Sequence, residues 1–291
     1  MIKKKLIKNA IKIDKFLIKY LKNQSKSLLV RPMKYGVISG GKKIRSTVIF
    51  EVGKLFRLNE KKLINICAAV ECIHSYSLIH DDLPCMDNDK IRRGKPSTHI
   101  KFGEASAVLA GSSLLTLAFE IISDKKYLLK PEMKNEIIRS LAFCSGHTGI
   151  AGGQELDLKF ENKNKTINEI INMQKKKTGK LFNFCFYAVG VIAKKNKKEK
   201  NFLSNLGNEV GLLFQLADDF LDKKGSKHLV GKSVKKDNKK GKSTLLSIMG
   251  EKKAYLYANN LKKKILRKLE KHGKKAKELT NTIEFILERK F

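Results

Sequence analysis

Residues 63–89 read LINICAAVECIHSYSLIHDDLPCMDND, and this stretch decides how the chain folds. Apolar side chains in its first part recur at the three- and four-residue spacing of one helical face: Ile64, Cys67, Ala68, Cys72 and Tyr76. The stretch then becomes acidic, and Pro84 disfavours helical backbone at the residue before it. The pattern predicts a long core helix that ends in a loop rich in aspartate.

Helical periodicity continues on both sides of this stretch. We predict helices over residues 5–22, 43–57, 61–81, 104–122, 132–158, 167–193, 197–222, 244–271 and 275–289. We expect loops at residues 32–41, 83–99, 159–165 and 223–242. Alternating strand patterns are scarce, and no repeat or long linker interrupts the chain. The sequence therefore predicts an all-α fold in which residues 1–291 form a single domain.

The apolar segments at residues 106–122 and 181–193 are expected to be core helices. They are shorter or more polar than the roughly 20 apolar residues that cross a bilayer. The first five residues, MIKKK, include three lysines, but no apolar stretch follows them as in a signal peptide. The five cysteines include no CxxC pair, which indicates free thiols in a reducing compartment. We therefore expect a cytoplasmic protein with no stable membrane anchor.

The net charge of +34 indicates an anionic partner, which could be nucleic acid, a membrane surface or a phosphate substrate. The lysines are spread along the chain, only eight of the 62 basic residues are arginine, and tryptophan is absent. Proteins that bind nucleic acid usually cluster their charge and mix arginine and aromatic side chains into it. Most of the lysine is therefore expected to be solvated surface, and no nucleic-acid partner is expected.

Two aspartate clusters stand in a chain that has only 28 acidic residues. The first contains Asp81, Asp82, Asp87 and Asp89, and the second contains Asp218, Asp219 and Asp222. Neighbouring carboxylates beside a core repel one another and lose hydration unless a cation joins them. Magnesium is the natural candidate because it prefers oxygen ligands and bridges carboxylates to substrate phosphates. The alternative is a pair of solvated helix ends, but the presence of two clusters favours the metal.

Basic residues accompany these clusters. Residues 40–45 read GGKKIR and form a glycine turn before a predicted helix, where backbone N–H groups and the helix dipole favour anions. A plain helix N-terminus is the alternative reading of this turn. Residues 92–94 read RRG and follow the first cluster, so three of the eight arginines lie beside these motifs. A planar guanidinium binds phosphate through two hydrogen bonds, so the whole pattern predicts an enzyme that binds diphosphate esters.

Taken in order, these motifs resemble the trans-prenyl diphosphate synthase family. The first aspartate motif and its flanks span residues 74–96 (HSYSLIHDDLPCMDNDKIRRGKP), and the second motif spans residues 218–222 (DDFLD). The glycine turn matches as well, and so do four further segments: residues 152–158 (GGQELDL), 177–179 (KTG), 214–215 (FQ) and 241–244 (GKST). The resemblance covers essentially the whole chain, and it is greatest to the bacterial farnesyl diphosphate synthases.

The resemblance implies a fold and a reaction. The fold is a bundle of about ten helices around a central cavity, usually in a homodimer, with the two aspartate motifs facing each other across the cavity mouth. In the reaction, dimethylallyl or geranyl diphosphate ionises and isopentenyl diphosphate attacks the carbocation. A proton is then lost, with Mg²⁺ as cofactor. The implied product is (E,E)-farnesyl diphosphate, and geranylgeranyl diphosphate is the alternative.

The resemblance also implies roles for individual residues. Mg²⁺ is held by Asp81, Asp87 and Asp218, while Asp82, Asp219 and Asp222 complete or orient the metal shell. The allylic diphosphate is bound by Arg92, Lys177, Lys232 and Lys242. Isopentenyl diphosphate is bound by Lys42, Arg45, His74 and Arg93. Oxygen atoms of Thr178 and Gln215 lie near the carbocation.

Product length is expected to depend on Tyr76, which lies five positions before Asp81. A rigid ring at this depth would stop the growing chain, because packed interiors tolerate little added volume. The resemblance to bacterial farnesyl synthases implies that growth stops at fifteen carbons. The alternative is that Tyr76 is only a core residue. The chain departs from the family at three positions: Ala217 stands where glutamine is common, Ser46 where proline is common, and Lys43 where arginine is frequent.

Two rival functions remain at this point. One is a terpene cyclase or head-to-head synthase of the same fold, but Lys42, Arg45 and Arg93 predict a second diphosphate pocket that a cyclase does not need. The other is a basic nucleic-acid-binding or scaffold protein without activity. Such a protein would have no reason to keep both aspartate clusters, and it would bind DNA with a steep dependence on salt.

Overall fold

The computed structural model describes residues 2–22, 24, 26–38, 40–224 and 244–288, and in this part the chain is almost wholly helical. The first helices are α1 (Ile2–Lys22), α2 (Val30–Ile38), α3 (Ile44–Leu55), α4 (Ile64–Asp81), α5 (Thr98–Phe102), α6 (Glu104–Ser123) and α7 (Pro131–Ser145). They are followed by α8 (Ile150–Lys159), α9 (Ile167–Gln174), α10 (Lys180–Ile192), α11 (Lys197–Lys224), α12 (Leu245–Met249), α13 (Glu251–Glu270) and α14 (Lys277–Glu288). The predicted all-α class is confirmed.

The chain divides into two compact units. Unit 1 contains Met1–Phe50 and Leu58–Ile138, and unit 2 contains Glu51–Arg57 and Arg139–Phe291. The first aspartate motif and the glycine turn lie in unit 1, whereas the second aspartate motif and Lys177 lie in unit 2. The expected single domain over residues 1–291 stays a prediction.

Helix α4 forms the core of unit 1 and packs along α6. The two helices come close because Gly111 leaves room for His80, whose Nε2 would be 2.3 Å from a Cβ atom at that glycine. Ile66 and Ile73 of α4 and Leu114 of α6 are fully buried. By length and composition alone, helix α6 could cross a membrane. The expectation that this segment is too short or too polar to do so is therefore corrected. In the structure it packs against α4 as predicted for a core helix.

Helices α10 and α11 form the core of unit 2 and pack closely along each other. Glycine makes this possible, since a Cβ at Gly207 would be 2.6 Å from Phe182 O and one at Gly211 would be 2.6 Å from Gly179 Cα. Phe182, Phe184 and Phe186 of α10 are completely buried. The segment at residues 181–193 is therefore a core helix, as its apolar composition predicted.

Several predicted boundaries are wrong, and glycine or proline explains most of them. The predicted loop at residues 32–41 overlaps α2 (Val30–Ile38), because proline is tolerated in the first turn of a helix. The predicted helix over residues 132–158 breaks after Ser145, where a Cβ at Gly149 would be 1.9 Å from Cys144 O. The predicted helix over residues 244–271 divides at Gly250, whose φ is 76°.

The predicted loop at residues 83–99 contains a small hairpin. Strands β1 (Ile91–Arg92) and β2 (Lys95–Pro96) are antiparallel, with Arg92 opposite Lys95. The two residues between them, Arg93 and Gly94, have φ angles of 53° and 74°. Positive φ at both central residues is typical of the tight turns that match strand twist. The turn places Arg93 at the tip of the hairpin.

Candidate active site

The first aspartate motif is a compact turn at the end of α4. Asp87 N donates a hydrogen bond to Asp81 O at 2.8 Å, and Asp89 N donates to Asp82 O at 3.0 Å. The chain thus curls back, so that the second pair of aspartates stands beside the first. Asp81 and Asp87 are half-buried, whereas Asp82 and Asp89 are buried. The turn separates two outward carboxylates from two inward ones.

The inward carboxylates bind Arg92. Its Nε donates to Asp82 Oδ1 at 2.9 Å, and its Nη2 contacts both Asp82 Oδ1 and Asp89 Oδ2. Burial raises the pKa of the Asp82 carboxyl, and the Arg92 guanidinium opposes that shift. This ion pair fixes the hairpin to the aspartate motif. The expected contact of Arg92 with an allylic diphosphate stays a prediction. The sequence placed Asp89 in the first aspartate cluster but did not indicate that it pairs with Arg92.

Arg93 lies over the glycine turn. Its Nη1 donates to Gly40 O at 2.7 Å, and its Cζ would be 2.8 Å from a Cβ at Gly41. Gly40 and Gly41 have φ angles of 89° and 100°, which side chains rarely adopt. Glycine therefore serves both the backbone conformation and the approach of the guanidinium. The hairpin tip and the glycine turn, predicted separately, come together in unit 1.

His74 is half-buried in the same surroundings. Its pKa is lowered well below 6.5, first by burial and then by the positive charges of Arg45 and Arg93. The imidazole is therefore neutral near pH 7 and can donate one hydrogen bond and accept another. Four residues predicted to bind isopentenyl diphosphate thus share unit 1 with the first aspartate motif: Lys42, Arg45, His74 and Arg93.

Lys43 has a structural role. Its ammonium lies 3.1 Å from Asp14 Oδ1 and donates to Val37 O at 3.0 Å, with 2% of the side chain exposed. It ties α1 and α2 to the glycine turn. The ion pair with Asp14 explains why a cation is buried at this position.

The second aspartate motif lies near the end of α11 in unit 2. Asp219 is 5% exposed, and its two oxygens accept hydrogen bonds from Gln215 Nε2 at 2.8 Å and Gln174 Nε2 at 3.1 Å. Thr178 Oγ1 donates to Gln215 Oε1 at 2.7 Å. Thr178, Gln215 and Asp219, which were predicted separately, form one hydrogen-bonded chain. Gln174 was missed because no local pattern indicates that it reaches Asp219.

Lys177 lies in a π-helical turn, Lys175–Gly179, between α9 and α10. Its ammonium donates to Asp157 Oδ2 at 2.7 Å. A Cβ at Gly153 would be 2.2 Å from Lys177 N, so glycine lets α8 approach this turn. Such π-bulges occur frequently at functional sites. The contact of Lys177 with a diphosphate stays a prediction, and Lys232 and Lys242 lie outside the described residues.

The aspartate motifs fit magnesium in their chemistry. Within residues 2–22, 24, 26–38, 40–224 and 244–288, no three acidic, histidine or cysteine side chains form a ready-made metal cage. Mg²⁺ usually takes one or two carboxylates and completes its shell with waters and phosphate oxygens. Asp81 and Asp87 in unit 1 are half-buried, and so is Asp218 on α11 in unit 2. Each carries carboxylate oxygens of the kind that Mg²⁺ prefers, and their role as metal ligands stays a prediction.

Comparison with known proteins identifies the class. Residues 26–284 match the polyprenyl synthetase family. The chain therefore belongs to the polyprenyl synthetase family. It is 39% identical over 255 residues to the farnesyl diphosphate synthase of Bacillus subtilis, which covers 86% of this chain and 81% of that enzyme.

Solved structures agree with this family. An FPP/GFPP synthase from Zymomonas mobilis has a TM-score of 0.87 and 35% identity, with 98% of each chain covered. A geranyltransferase from Helicobacter pylori, solved with magnesium and isoprenyl diphosphate, has a TM-score of 0.83 and 29% identity, with 99% of this chain and 96% of that chain covered.

Proposed function

We propose that the chain is a farnesyl diphosphate synthase, which condenses isopentenyl diphosphate with dimethylallyl or geranyl diphosphate. The observation that carries this proposal is the position of Arg93 over the glycine turn, beside a neutral His74. A terpene cyclase binds one diphosphate and has no use for this second cluster of cations. Relatives that are 37–41% identical are named farnesyl diphosphate synthase and support the same activity, whereas a relative named geranylgeranyl pyrophosphate synthase is 36% identical.

The reaction needs charge stabilisation more than a protein nucleophile. The bond between C1 and oxygen of the allylic diphosphate breaks, C1 bonds to C4 of isopentenyl diphosphate, and a proton leaves C2. Mg²⁺ held by Asp81, Asp87 and Asp218 would stabilise negative charge on the departing diphosphate. Asp82, Asp219 and Asp222 would complete or orient the metal shell.

The basic residues bind the two diphosphates. Arg92 and Lys177 face carboxylates in the structure, so we propose that the allylic diphosphate and its metal take over part of those contacts. Lys232 and Lys242 are proposed to assist them. Arg93 and the backbone N–H groups at the start of α3 are proposed to hold isopentenyl diphosphate with Lys42 and Arg45. His74 donates an imidazole N–H to the same group.

Thr178 and Gln215 are proposed to stabilise the carbocation. Thr178 donates its hydroxyl proton to Gln215 Oε1, and Gln215 donates its amide proton to Asp219. Since the hydroxyl proton is used in this bond, the lone pairs of Thr178 Oγ1 remain to face positive charge. The hydrogen-bonded chain thus orients an oxygen dipole without supplying a base, and released diphosphate takes the proton.

The remaining expectations belong to this proposal. We infer that residues 1–291 act as one catalytic domain in a cytoplasmic homodimer, with no nucleic-acid partner and no stable membrane anchor. Light scattering coupled to size exclusion would test the dimer. DNA binding that is steeply dependent on salt, without prenyl transfer, would favour the non-enzymatic alternative.

The proposed activity is tested directly with substrates. Labelled isopentenyl diphosphate is incubated with dimethylallyl or geranyl diphosphate and Mg²⁺, and the products are separated by chromatography. We expect farnesyl diphosphate as the main product. Hydrocarbon products formed from the allylic substrate alone would instead indicate a cyclase, and mainly C20 product would indicate a geranylgeranyl diphosphate synthase.

A further inference from the structure

Gln174 is a buried amide to which the reaction above assigns no role. It is the last residue of α9, immediately before the π-helical turn, and only 3% of its surface is exposed. Its Nε2 donates a hydrogen bond of 3.1 Å to Asp219 Oδ2 on α11. Its Oε1 is buried and has no hydrogen-bond partner among the described residues. Burying an unpaired carbonyl oxygen is unfavourable, so an amide at this position calls for a physical reason.

Gln174 stands at one end of a ladder between two helical segments. Gln174 and Thr178 are four residues apart, and so are Gln215 and Asp219 on α11, so each pair lies close to one helical face. Gln174 bonds to Asp219, and Thr178 Oγ1 donates to Gln215 Oε1 at 2.7 Å. Within α11, Gln215 Nε2 donates to Asp219 Oδ1 at 2.8 Å. The bonds thus link four side chains in this order: Gln174, Asp219, Gln215 and Thr178.

The chemistry of the groups fixes the direction of these bonds. An ionised carboxylate only accepts hydrogen bonds, so Gln174 and Gln215 must both turn their NH2 groups toward Asp219. Because its NH2 group is used in this way, Gln215 presents Oε1 to the hydroxyl of Thr178. The Asp219 carboxylate accepts an amide hydrogen bond at each oxygen, so its rotation would break a bond to one of the amides.

We propose that Gln174 is a positioning residue, which holds the Asp219 carboxylate and thereby fixes the amide of Gln215 and the hydroxyl of Thr178. The proposal rests on the proposed function, in which Thr178 Oγ1 faces the carbocation. An oxygen dipole that already has its catalytic orientation does not have to reorganise as positive charge develops. Gln174 itself contacts no substrate in this role and acts only through Asp219.

The first experiment is a double-mutant cycle on kcat. Gln174→Met keeps an unbranched side chain of similar length and removes the donor, so we expect kcat to fall about tenfold, the scale of one hydrogen bond to a charged group. Gln215→Met removes the amide through which Gln174 acts. In that background Gln174→Met should change kcat by less than about twofold, because effects within one hydrogen-bonded network are not additive. Equal losses in both backgrounds would overturn the proposal.

Substrate binding supplies a second criterion from the same kinetics. The residues proposed to hold isopentenyl diphosphate, such as Lys42 and Arg45, belong to unit 1, whereas Gln174 belongs to unit 2. Gln174→Met should therefore lower kcat and leave the KM for isopentenyl diphosphate unchanged. A variant in which this KM rises while kcat stays the same would contradict a role in orienting groups toward the carbocation.

Asn183→Leu is the matched control. Asn183 is also a buried amide, and its Nδ2 donates from α10 to Ser204 Oγ at 2.6 Å and to Ser204 O at 3.1 Å on α11. The substitution removes hydrogen bonds between helices of unit 2 without removing a bond to Asp219. We expect it to lower the melting temperature and to leave kcat unchanged. A fall in kcat equal to that in Gln174→Met would overturn the proposal, because it would reflect a general loosening of unit 2.

The second experiment observes the hydrogen-bonded chain by NMR without turnover. The side-chain amides of glutamine are labelled with nitrogen-15, and the signal of Gln215 is assigned by its loss in Gln215→Met. Gln174→Met should shift this signal and speed the exchange of its protons with water, whereas Asn183→Leu should do neither. A Gln215 signal that is unchanged in Gln174→Met would overturn the proposal.

Two further outcomes are covered by the same measurements. If Gln174→Met does not fold, Gln174→Asn, whose amide is one methylene shorter and cannot keep the bond to Asp219, is measured under the same criteria. Absence of prenyl transfer in the wild type would refute the proposed function. The NMR spectrum would still decide whether Gln174 positions Gln215, so the two failures are distinguishable.

Discussion

Replacing Tyr76 by alanine should lengthen the product from C15 to C20. Tyr76 lies on the continuous helix α4, five residues before Asp81. At about 1.5 Å of rise per residue, its Cα is about 7.5 Å along the helix from the first metal ligand. Its ring packs edge-to-face on His80 at 5.0 Å, and His80 Nε2 lies 3.1 Å from Val108 O on α6. These contacts hold the ring in one position.

The size of the expected change follows from the atoms removed. Tyr76→Ala deletes about seven heavy atoms and an isoprene unit adds about five, so a close-packed site gains room for one further unit but not for two. Deleting a fully buried aromatic side chain costs about 3–5 kcal/mol, and Tyr76 is half-buried, so we expect a loss of about 2 kcal/mol. The variant should therefore fold and condense its substrates.

The assay is chromatography of labelled products from the wild type and from two variants. Tyr76→Phe keeps the ring and should still yield C15, while Tyr76→Ala should yield mainly C20. Ser77→Ala is the control, because Ser77 is too small to block a chain and bonds to His74 O on its own helix. An active Tyr76→Ala variant with unchanged C15 output would refute the role of Tyr76, as would a wild type that already makes mainly C20.

Three further predictions concern stability and surface charge. Because the pKa of His74 is lowered in the folded chain, the unfolded chain binds a proton at a higher pH than the folded chain does. The stability that is present above about pH 6.5 is therefore lost as the pH falls, and the melting temperature falls with it. His74→Gln should make the melting temperature less dependent on pH. A parallel decline in wild type and variant would contradict it. Asp82→Asn should lower the free energy of unfolding, measured in urea, by about 1–3 kcal/mol, because Arg92, which is 18% exposed, loses one counter-charge. The control is Glu155→Gln, which removes a charge from the exposed pair with Lys159 and should change the free energy of unfolding little. Equal midpoints for the two variants would show that the Arg92 pair does not fix the hairpin. The lysine-rich segment at residues 223–291 should not anchor the protein, so stable sedimentation with anionic vesicles at physiological salt would contradict that expectation.

Long periodic segments made much of the fold predictable. The helices predicted at residues 61–81, 104–122 and 197–222 correspond to α4, α6 and α11 with small changes at their ends. Helix α2 was missed because Pro32 and Gly36 are typical of turns. In the folded chain Gly36 is required by packing, since a Cβ there would be 2.4 Å from Ile79 Cδ1. A requirement of this kind depends on a distant helix and leaves no local pattern.

The site was predictable as a set of motifs but not as a set of contacts. Residue types and spacing indicated the aspartate clusters and the glycine turn. They did not indicate that Arg92 pairs with Asp82 and Asp89, because the conformation of the loop decides which carboxylates it reaches. The π-helical turn around Lys177 was also missed, since one wider turn barely changes helical periodicity.

The central claim is that both aspartate motifs serve one magnesium-dependent condensation. The most direct measurement compares formation of farnesyl diphosphate by the wild type, Asp81→Ala and Asp218→Ala, with and without EDTA, while circular dichroism monitors the helices. We expect each substitution and EDTA to lower turnover by orders of magnitude without loss of helix, because the negative charge of the departing diphosphate is then no longer stabilised. Activity that survives EDTA and both substitutions would contradict the account.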